Sequence, residues 1–380
     1  MIYLDYAANT PVDREVIDCF CEVSEHFIAN PNSTHILGRN AKSKLENITE
    51  HIAELLKVKA CEIIYTSGAS EANNLAIKGL VHAYKQNGKH IISTCLEHSS
   101  VSGALTFLQT QGYEIDLVDI MEDGLIDMQH LKELLRDDTV LVSICYVDSE
   151  LGVQQSITKI GELIEEYPNC YFHTDATQAI GKIPVSFEHV DCMTFTPHKF
   201  FGLNGCGILV KRENVILEPL IHGGTSTTIY RSGTPALALA ASIDKALDIS
   251  LGKLQERYQY VKQRNEALRL AFLPYKKVRI NSTCFSVPHI LNISVEGVKA
   301  TLFREALEQE GICVSIKSAC SVTNTPSRPV YAVTKNKKNA LSSWRISLSH
   351  LTTKEEIDQF MRAFSRCYEK LIIVKSNSTK

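Results

Sequence analysis

"DCMTFTPHKFFGLNGCGILVK", residues 191–211, sets two short apolar runs, "DCMTF" and "GILVK", on either side of a segment that carries a threonine, a histidine and a lysine. The runs read as β-strands and the segment between them as a loop. Most lysines are solvated surface charges. Lys199 instead follows a strand and is backed by Phe200 and Phe201, which could supply an apolar pocket. In such a pocket an amine loses its proton readily and, once neutral, can form a Schiff base with an aldehyde. "GLNGCG" (202–207) looks superficially like a dinucleotide-binding glycine pattern. It leads into a strand rather than from a strand into a helix, so it reads as a tight turn.

Outward from this stretch, from about residue 43 to 250, short β-branched runs alternate with helical patterns. "EIIYT" is followed by a helix over 70–86, "HIISTC" by one over 99–110, "TVLVSICYV" by one over 157–167, and "CYFHTDA" leads on to "DCMTF" and "GILVK". The alternation predicts an α/β fold with a mainly parallel sheet between helices, whose ligands gather at the carboxyl ends of the strands. After a long helical stretch at 235–270 the pattern thins to "KVRINS", "ILNISV" and "WRISLS" with helices at 299–310 and 353–371. This predicts two domains, 15–250 and a smaller α+β unit made of 1–14 plus 251–380.

Composition narrows the function classes. Hydrophobic residues at 44% and charged residues at 22% describe an ordinary globular chain, and a net charge of -3 gives no general attraction to nucleic acid or anionic membrane. "MIYLDYAANT" lacks the basic and apolar regions of an export signal, and no apolar stretch approaches the ~20 residues of a membrane span, so a soluble cytoplasmic protein is expected. The twelve cysteines contain no C-x-x-C pair, and neither a disulfide framework nor a metal site is expected. Cys320 stands apart in "SIKSACSVTNTPSRP", where small polar residues and prolines indicate an exposed loop and hence a reactive thiol.

Three further stretches carry chemistry. In "YTSGASEANNLAIKGL" (65–80) a strand gives way to a helix at Gly68, Ala69 and Ser70, which reads either as a phosphate cradle of backbone N–H groups or as an ordinary N-cap by Ser70. In "CYFHTDATQAIGK" (170–182) Asp175 ends a buried strand, either to cap the next helix or to hold a proton on a heteroaromatic nitrogen such as that of pyridoxal phosphate. His98, at the end of "HIISTCLEH", is either a structural histidine or a ring-stacking acid/base. Taken together, a phosphate cradle, a pyridinium partner and an aldehyde-binding amine point to pyridoxal phosphate bound covalently at Lys199.

At this point the chain resembles the cysteine desulfurases, class V, fold-type I pyridoxal phosphate enzymes. The resemblance runs nearly end to end through "YLDYAANTPV" (3–12), "NPNSTH" (30–35), "TSGASEANNLAI" (66–77), "HTDATQAIGK" (173–182), "TPHKFFGLNGCG" (196–207), "RSGTPA" (231–236), "SAC" (318–320) and "WRISLS" (344–349). It implies a large three-layer domain around a seven-stranded sheet and a small domain carrying the catalytic cysteine loop. It implies that Lys199 carries the cofactor, His98 stacks on its ring, Asp175 pairs with the ring nitrogen, and Gln178 and the residue at 149 approach the phenolic oxygen. Ala69, Ser70, Thr196 and His198 would hold the phosphate, with Thr234 of the partner subunit of a homodimer reaching the same group. Arg345 would clamp the substrate carboxylate, with Asn30 beside it. Cys320 would take sulfur from L-cysteine as a persulfide, leave L-alanine, and pass the sulfur to an acceptor protein in iron-sulfur cluster, thio-cofactor or tRNA biosynthesis.

The chain departs from the family pattern where Asp148-Ser149-Glu150 replaces Asn-Asn-Glu, so Ser149 stands where an amide is usual, and where Lys317 precedes Ser-Ala-Cys. The other readings are a sister activity, selenocysteine lyase or aminotransferase, and a sulfur-assembly scaffold without turnover.

Overall fold

The structure, a computed structural model, describes residues 1–316 and 325–377. Cys320 and Lys317 therefore lie outside the described residues. After the short β1 (Ile2–Tyr3), the chain lays down β2 (Ile63–Thr66), β3 (His90–Ser93), β4 (Glu114–Leu117), β5 (Thr139–Ser143), β6 (Tyr171–Asp175), β7 (Cys192–Phe195) and β8 (Gly207–Lys211). These last seven form one sheet in the order β2-β8-β7-β6-β5-β3-β4, in which only β8 runs against its neighbours.

Every residue of β3, β5, β7 and β8 is buried. Helices cover both faces of such strands, which is why they read as continuous apolar runs rather than alternating ones. β4 sits at the sheet edge, partly exposed, and its sequence "EIDL" carries too little apolar signal to be recognised as a strand in advance.

The helix expected over 70–86 is α-helical at Ala69–Asn74, opens into a π-turn at Leu75–Gly79 and resumes at Leu80–Ala83. The π-turn lies where the 217–218 backbone comes in close: the Glu218 N–H donates to the Gly79 carbonyl at 2.8 Å, and a Cβ on Gly79 would stand 2.7 Å from the Glu218 oxygen. The long stretch at 235–270 is two helices, Leu237–Gly252 and Leu254–Phe272, which meet at Lys253 with φ -105° and ψ 10°. Leu237–Gly252 packs against Arg14–His26 and Ile36–Leu56.

A second core lies in the C-terminal part. β9 (Val278–Ile280), β10 (Ile290–Val295) and β12 (Ser343–Ser347) form an antiparallel sheet with β10 central, and β11 (Ile312–Cys313) pairs parallel with β1. Phe303, Trp344, Phe360 and Phe364 are fully buried there together with Leu4. The short helices Arg328–Thr334 and Lys337–Leu341 have too few turns to show a period in the sequence.

From this core the N-terminal segment crosses to the Lys199 turn. The Thr10 N–H and hydroxyl both donate to the His198 carbonyl, at 3.0 and 2.9 Å. The Phe201 N–H donates to the Thr10 hydroxyl at 2.8 Å, and the Asp13 N–H to the Phe201 carbonyl at 2.9 Å.

Gly181 makes this turn possible from the other side. Its φ is +74°, and a Cβ would stand 2.7 Å from the Cβ of Phe200. Gly181→Ala is expected to cost about 1–3 kcal/mol through strain and displacement of Phe200. Chemical denaturation checks this, and an unchanged midpoint would show that the turn tolerates the side chain.

Candidate active site

The carboxyl ends of β2, β3, β5, β6 and β7 open on one cavity of about 400 Å³, lined among others by Gly68, Ala69, Ser70, His98, Ser149, Asp175, Gln178, Thr196, His198 and Lys199. β8, being reversed, begins at the same end. A Cβ on Gly207 would stand 2.7 Å from the Gly68 backbone, so only glycine lets β8 abut the turn that starts Ala69–Asn74. Ala7, Ala8 and Arg345 also line the cavity.

The two phenylalanines behind Lys199 point different ways. Phe200 is 1% exposed in the main core, with its ring 6.2 Å from that of Phe195. Phe201 has φ +70°, a strained conformation for a bulky residue, and lays its ring against His350 at 4.5 Å and Arg257 at 5.3 Å. The divergence leaves Lys199 facing the cavity, where its Nζ donates to the Ala7 carbonyl at 3.1 Å and the Ala8 carbonyl at 2.6 Å.

Asp175 is buried at the end of β6, with one carboxylate oxygen accepting from the Thr177 N–H at 2.9 Å and the other from Asn73 Nδ2 at 2.8 Å. Asn73 was not singled out in the sequence, yet it ties the site together. Its amide nitrogen also donates to Ser100 Oγ at 2.9 Å, and its oxygen accepts from the Thr194 hydroxyl. Ser100 Oγ, having accepted from Asn73, directs its own proton to His98 Nδ1 at 2.9 Å, where the Ser100 N–H also points at 3.2 Å. His98 Nδ1 is thus an acceptor and the ring proton sits on Nε2. Burial above all holds the His98 pKa below its ordinary value, so the ring is neutral. The signal for Asn73 was a polar residue on the buried face of the helical run, three, four and seven positions before Ala76, Ile77 and Leu80.

On the cradle side, Thr196 Oγ1 donates to the Cys206 carbonyl at 2.8 Å and therefore accepts from His198 Nδ1 at 2.9 Å. His198 lines the cavity, and its pKa is pushed down to about 4 by burial and by Lys199 and Lys182. Glu71 also lines the cavity. Burial raises its pKa, but Arg231, 2.9 Å away, and the Ser67 N–H more than offset this and hold it below the usual carboxylate range. Its charge is thereby neutralised beside the cradle.

Arg345 is 1% exposed. Nη1 donates to the Ser149 carbonyl at 2.6 Å and Nη2 to Asp5 at 2.8 Å, while Ser315 Oγ donates to the other Asp5 oxygen at 2.8 Å. Asp5, a carboxylate in an otherwise apolar "IYLDY", is the second residue that sequence reasoning missed. It balances the buried guanidinium and fixes its plane. Arg345 Nε has no hydrogen-bond partner among the described residues.

Asn30, expected beside this clamp, is not among the residues lining the cavity of its own chain. It lines a separate surface groove with Thr234, and its side-chain oxygen accepts from the Asn32 N–H at 2.9 Å, which holds it in the turn that follows Arg14–His26. Thr234 is exposed and likewise stands outside the cavity of its own chain. Ser149 lines the cavity and presents its carbonyl to Arg345. The neighbouring Asp148 turns inward and accepts from the Glu150, Leu151 and Gly152 N–H groups.

Glu97, the residue before His98, is buried beneath the site. One oxygen accepts from the Thr94 hydroxyl at 2.8 Å and the Cys145 N–H at 2.9 Å, and burial raises its pKa to about 8. A carboxyl whose folded pKa is raised contributes stability that is full below its unfolded pKa and lost as pH climbs through the folded value. Glu97→Gln is therefore expected to gain on the parent as pH rises from 5 to 8, by at most about 1.4 kcal/mol per pH unit. Melting temperatures across that range check it, and a difference that does not change with pH would place the proton elsewhere.

The residues present fit pyridoxal phosphate on observations internal to the structure. A cavity of about 400 Å³ joins a glycine-lined helix start, a buried carboxylate and a lysine amine, and His98 and His198 line it too. The aminotransferase class-V family model matches residues 2–360, and the chain belongs to that family. Among its relatives, the cysteine desulfurase IscS of Dictyoglomus turgidum is 34% identical over 379 residues, covering 97% of this chain and 95% of the relative. Among solved structures, a NifS-like protein superposes with a TM-score of 0.91 at 29% identity over 97% of this chain and all of the other. SspA, solved in complex with cysteine, gives a TM-score of 0.81 at 29% identity over 93% of this chain and all of the other.

Proposed function

We infer that this chain is a pyridoxal phosphate-dependent cysteine desulfurase that converts L-cysteine to L-alanine and holds the released sulfur as a persulfide on Cys320. The single observation that carries the reading is the cavity in which Lys199 and Asp175, at the ends of adjacent strands, share one space with Arg345. Bound there, pyridoxal phosphate supplies an aldehyde carbon and a protonated ring that withdraws electrons from the substrate Cα. The chain's own residues do the rest. Ala69 and Ser70 hold the phosphate together with Thr196, turning its hydroxyl from the Cys206 carbonyl, and His198, taking a proton on Nε2 beside that anion. Asp175 keeps a proton at the ring nitrogen, and Gln178 and Ser149 face the phenolic oxygen. His98 covers the ring as a neutral imidazole.

Arg345 receives the substrate carboxylate, its plane already set by Asp5 and Ser149. Lys199, once displaced by the substrate amine, takes the Cα proton. The Cys320 thiolate then attacks the substrate sulfur. A sulfur–sulfur bond forms, the carbon–sulfur bond breaks with its electron pair going to carbon, and a proton returned there gives alanine.

Residues 15–250 are proposed as the cofactor domain and 1–14 with 251–380 as the smaller domain carrying the cysteine loop. The gathering of Ile2 and Leu4 into the C-terminal core supports that division. A homodimer is proposed because Thr234 lies apart from the cavity of its own chain in a groove beside the exposed Ile28. The persulfide is proposed to pass to a protein acceptor in iron-sulfur cluster, thio-cofactor or tRNA biosynthesis.

Incubation with L-cysteine is expected to release alanine and to add one sulfur atom to the peptide containing residue 320. Cys320→Ala should lower alanine release on the order of 10³-fold or more, as loss of a nucleophile does. Full alanine release by that variant, or amino transfer to a keto acid at the parent's rate, would favour a sister activity.

A further inference from the structure

We propose that Lys182 is a positioning residue for the cofactor site: its amine anchors the Gln178 amide oxygen and so keeps the amide nitrogen turned toward the cavity. The inference rests on the reading given under Proposed function and adds to it a residue that touches neither substrate nor cofactor. Lys182 is 8% exposed and its Nζ donates to Gln178 Oε1 at 2.6 Å. Gln178 Nε2 in turn donates to the Ala7 carbonyl at 2.9 Å, the same oxygen that receives Lys199 at 3.1 Å. Lys182, Gln178, Ala7 and Lys199 are thus joined in one hydrogen-bonded chain.

The placement argues for positioning. Gln178 lines the large cavity, whereas Lys182 lines a small one of about 20 Å³ behind it, beside Lys199, Arg257 and His289. Among the described residues no carboxylate is within ion-pair distance of Lys182, and its charged neighbours Lys199 and Arg345 are both basic. Burial, then those two cations, push its pKa well down. An apolar side chain of similar length would be easier to bury, so packing gives no reason for an amine here. The amide oxygen does. Without a donor, Oε1 would be buried and unsatisfied, a state it escapes by turning toward water in the cavity and carrying Nε2 away. With Lys182 in place, one Nε2 proton goes to Ala7 and the other remains for the phenolic oxygen of the bound ring.

The test is a pH titration of the visible absorption of the cofactor-loaded protein. A hydrogen-bond donor at the phenolic oxygen favours the form with the exposed negative oxygen and lowers the midpoint. Lys182→Met is therefore expected to raise the midpoint by about one pH unit, with Lys182→Gln, which keeps a donor, lying nearer the parent. In a Gln178→Leu background Lys182→Met should add no further shift. An unmoved midpoint in Lys182→Met, whatever its melting temperature, would overturn the inference and leave a packing role. An equal shift with and without Gln178 would overturn it too, since Lys182 would then act by its own charge. A parent protein with no visible band at any pH would overturn the cofactor reading itself. Should the methionine variant not fold, Lys182→Gln against Lys182→Leu gives the same comparison.

Discussion

The backbone strap through Ala7 and Ala8, whose carbonyls receive the Lys199 amine, holds the site together. The strap starts in the small core and is hydrogen-bonded through Thr10 and Asp13 to the turn carrying Lys199. On the small-core side the Ala7 N–H donates to Ser347 Oγ at 2.9 Å and the Ser347 N–H to the Leu4 carbonyl at 2.8 Å. On the other side Thr10 binds His198 and Phe201. Arg345, which comes from the small core, and Lys199, which comes from the sheet, therefore face one cavity because one strap of backbone is bonded to both. The left-handed Phe201 is the local cost of that arrangement, and the Thr10 and Asp13 contacts hold it in place.

Electrostatics around the strap follow a common logic. Charges at the cavity are matched at close range, as the buried Arg345 is by Asp5 and the half-buried Glu71 by Arg231. Groups without such a partner are held neutral by burial, as His98 is and as Glu97 is below about pH 8. Asn73 links the two regimes. A single amide, itself fully buried, bonds Asp175 directly and His98 through Ser100, so that one side chain fixes two groups of the cavity. Replacing the amide by a carboxylate would set like charges against Asp175.

Much of this was legible in the sequence, because strands buried on both faces announce themselves as apolar runs and the chemistry sits at their ends. "HTDATQ" and "TPHK" could be placed at strand ends, and with them Asp175 and Lys199, without any long-range information. Asp5, Asn73 and Lys182 could not. Each acts through a contact made by folding: Asp5 with a residue 340 positions away, Asn73 with one 102 away, and Lys182 with a helix-spaced neighbour whose importance depends on Ala7. The edge strand β4 was missed because it is half exposed and carries little apolar signal, and the break at Lys253 because one residue there does not interrupt the helical pattern.

The claim on which the account depends is that Lys199, and no other lysine, carries the cofactor. Reduction of the loaded protein with borohydride followed by peptide mapping tests it directly. A pyridoxyl group is expected on the peptide containing Lys199 and none there in Lys199→Ala. A pyridoxyl group found on Lys182 or on a surface lysine, with Lys199 unmodified, would contradict it.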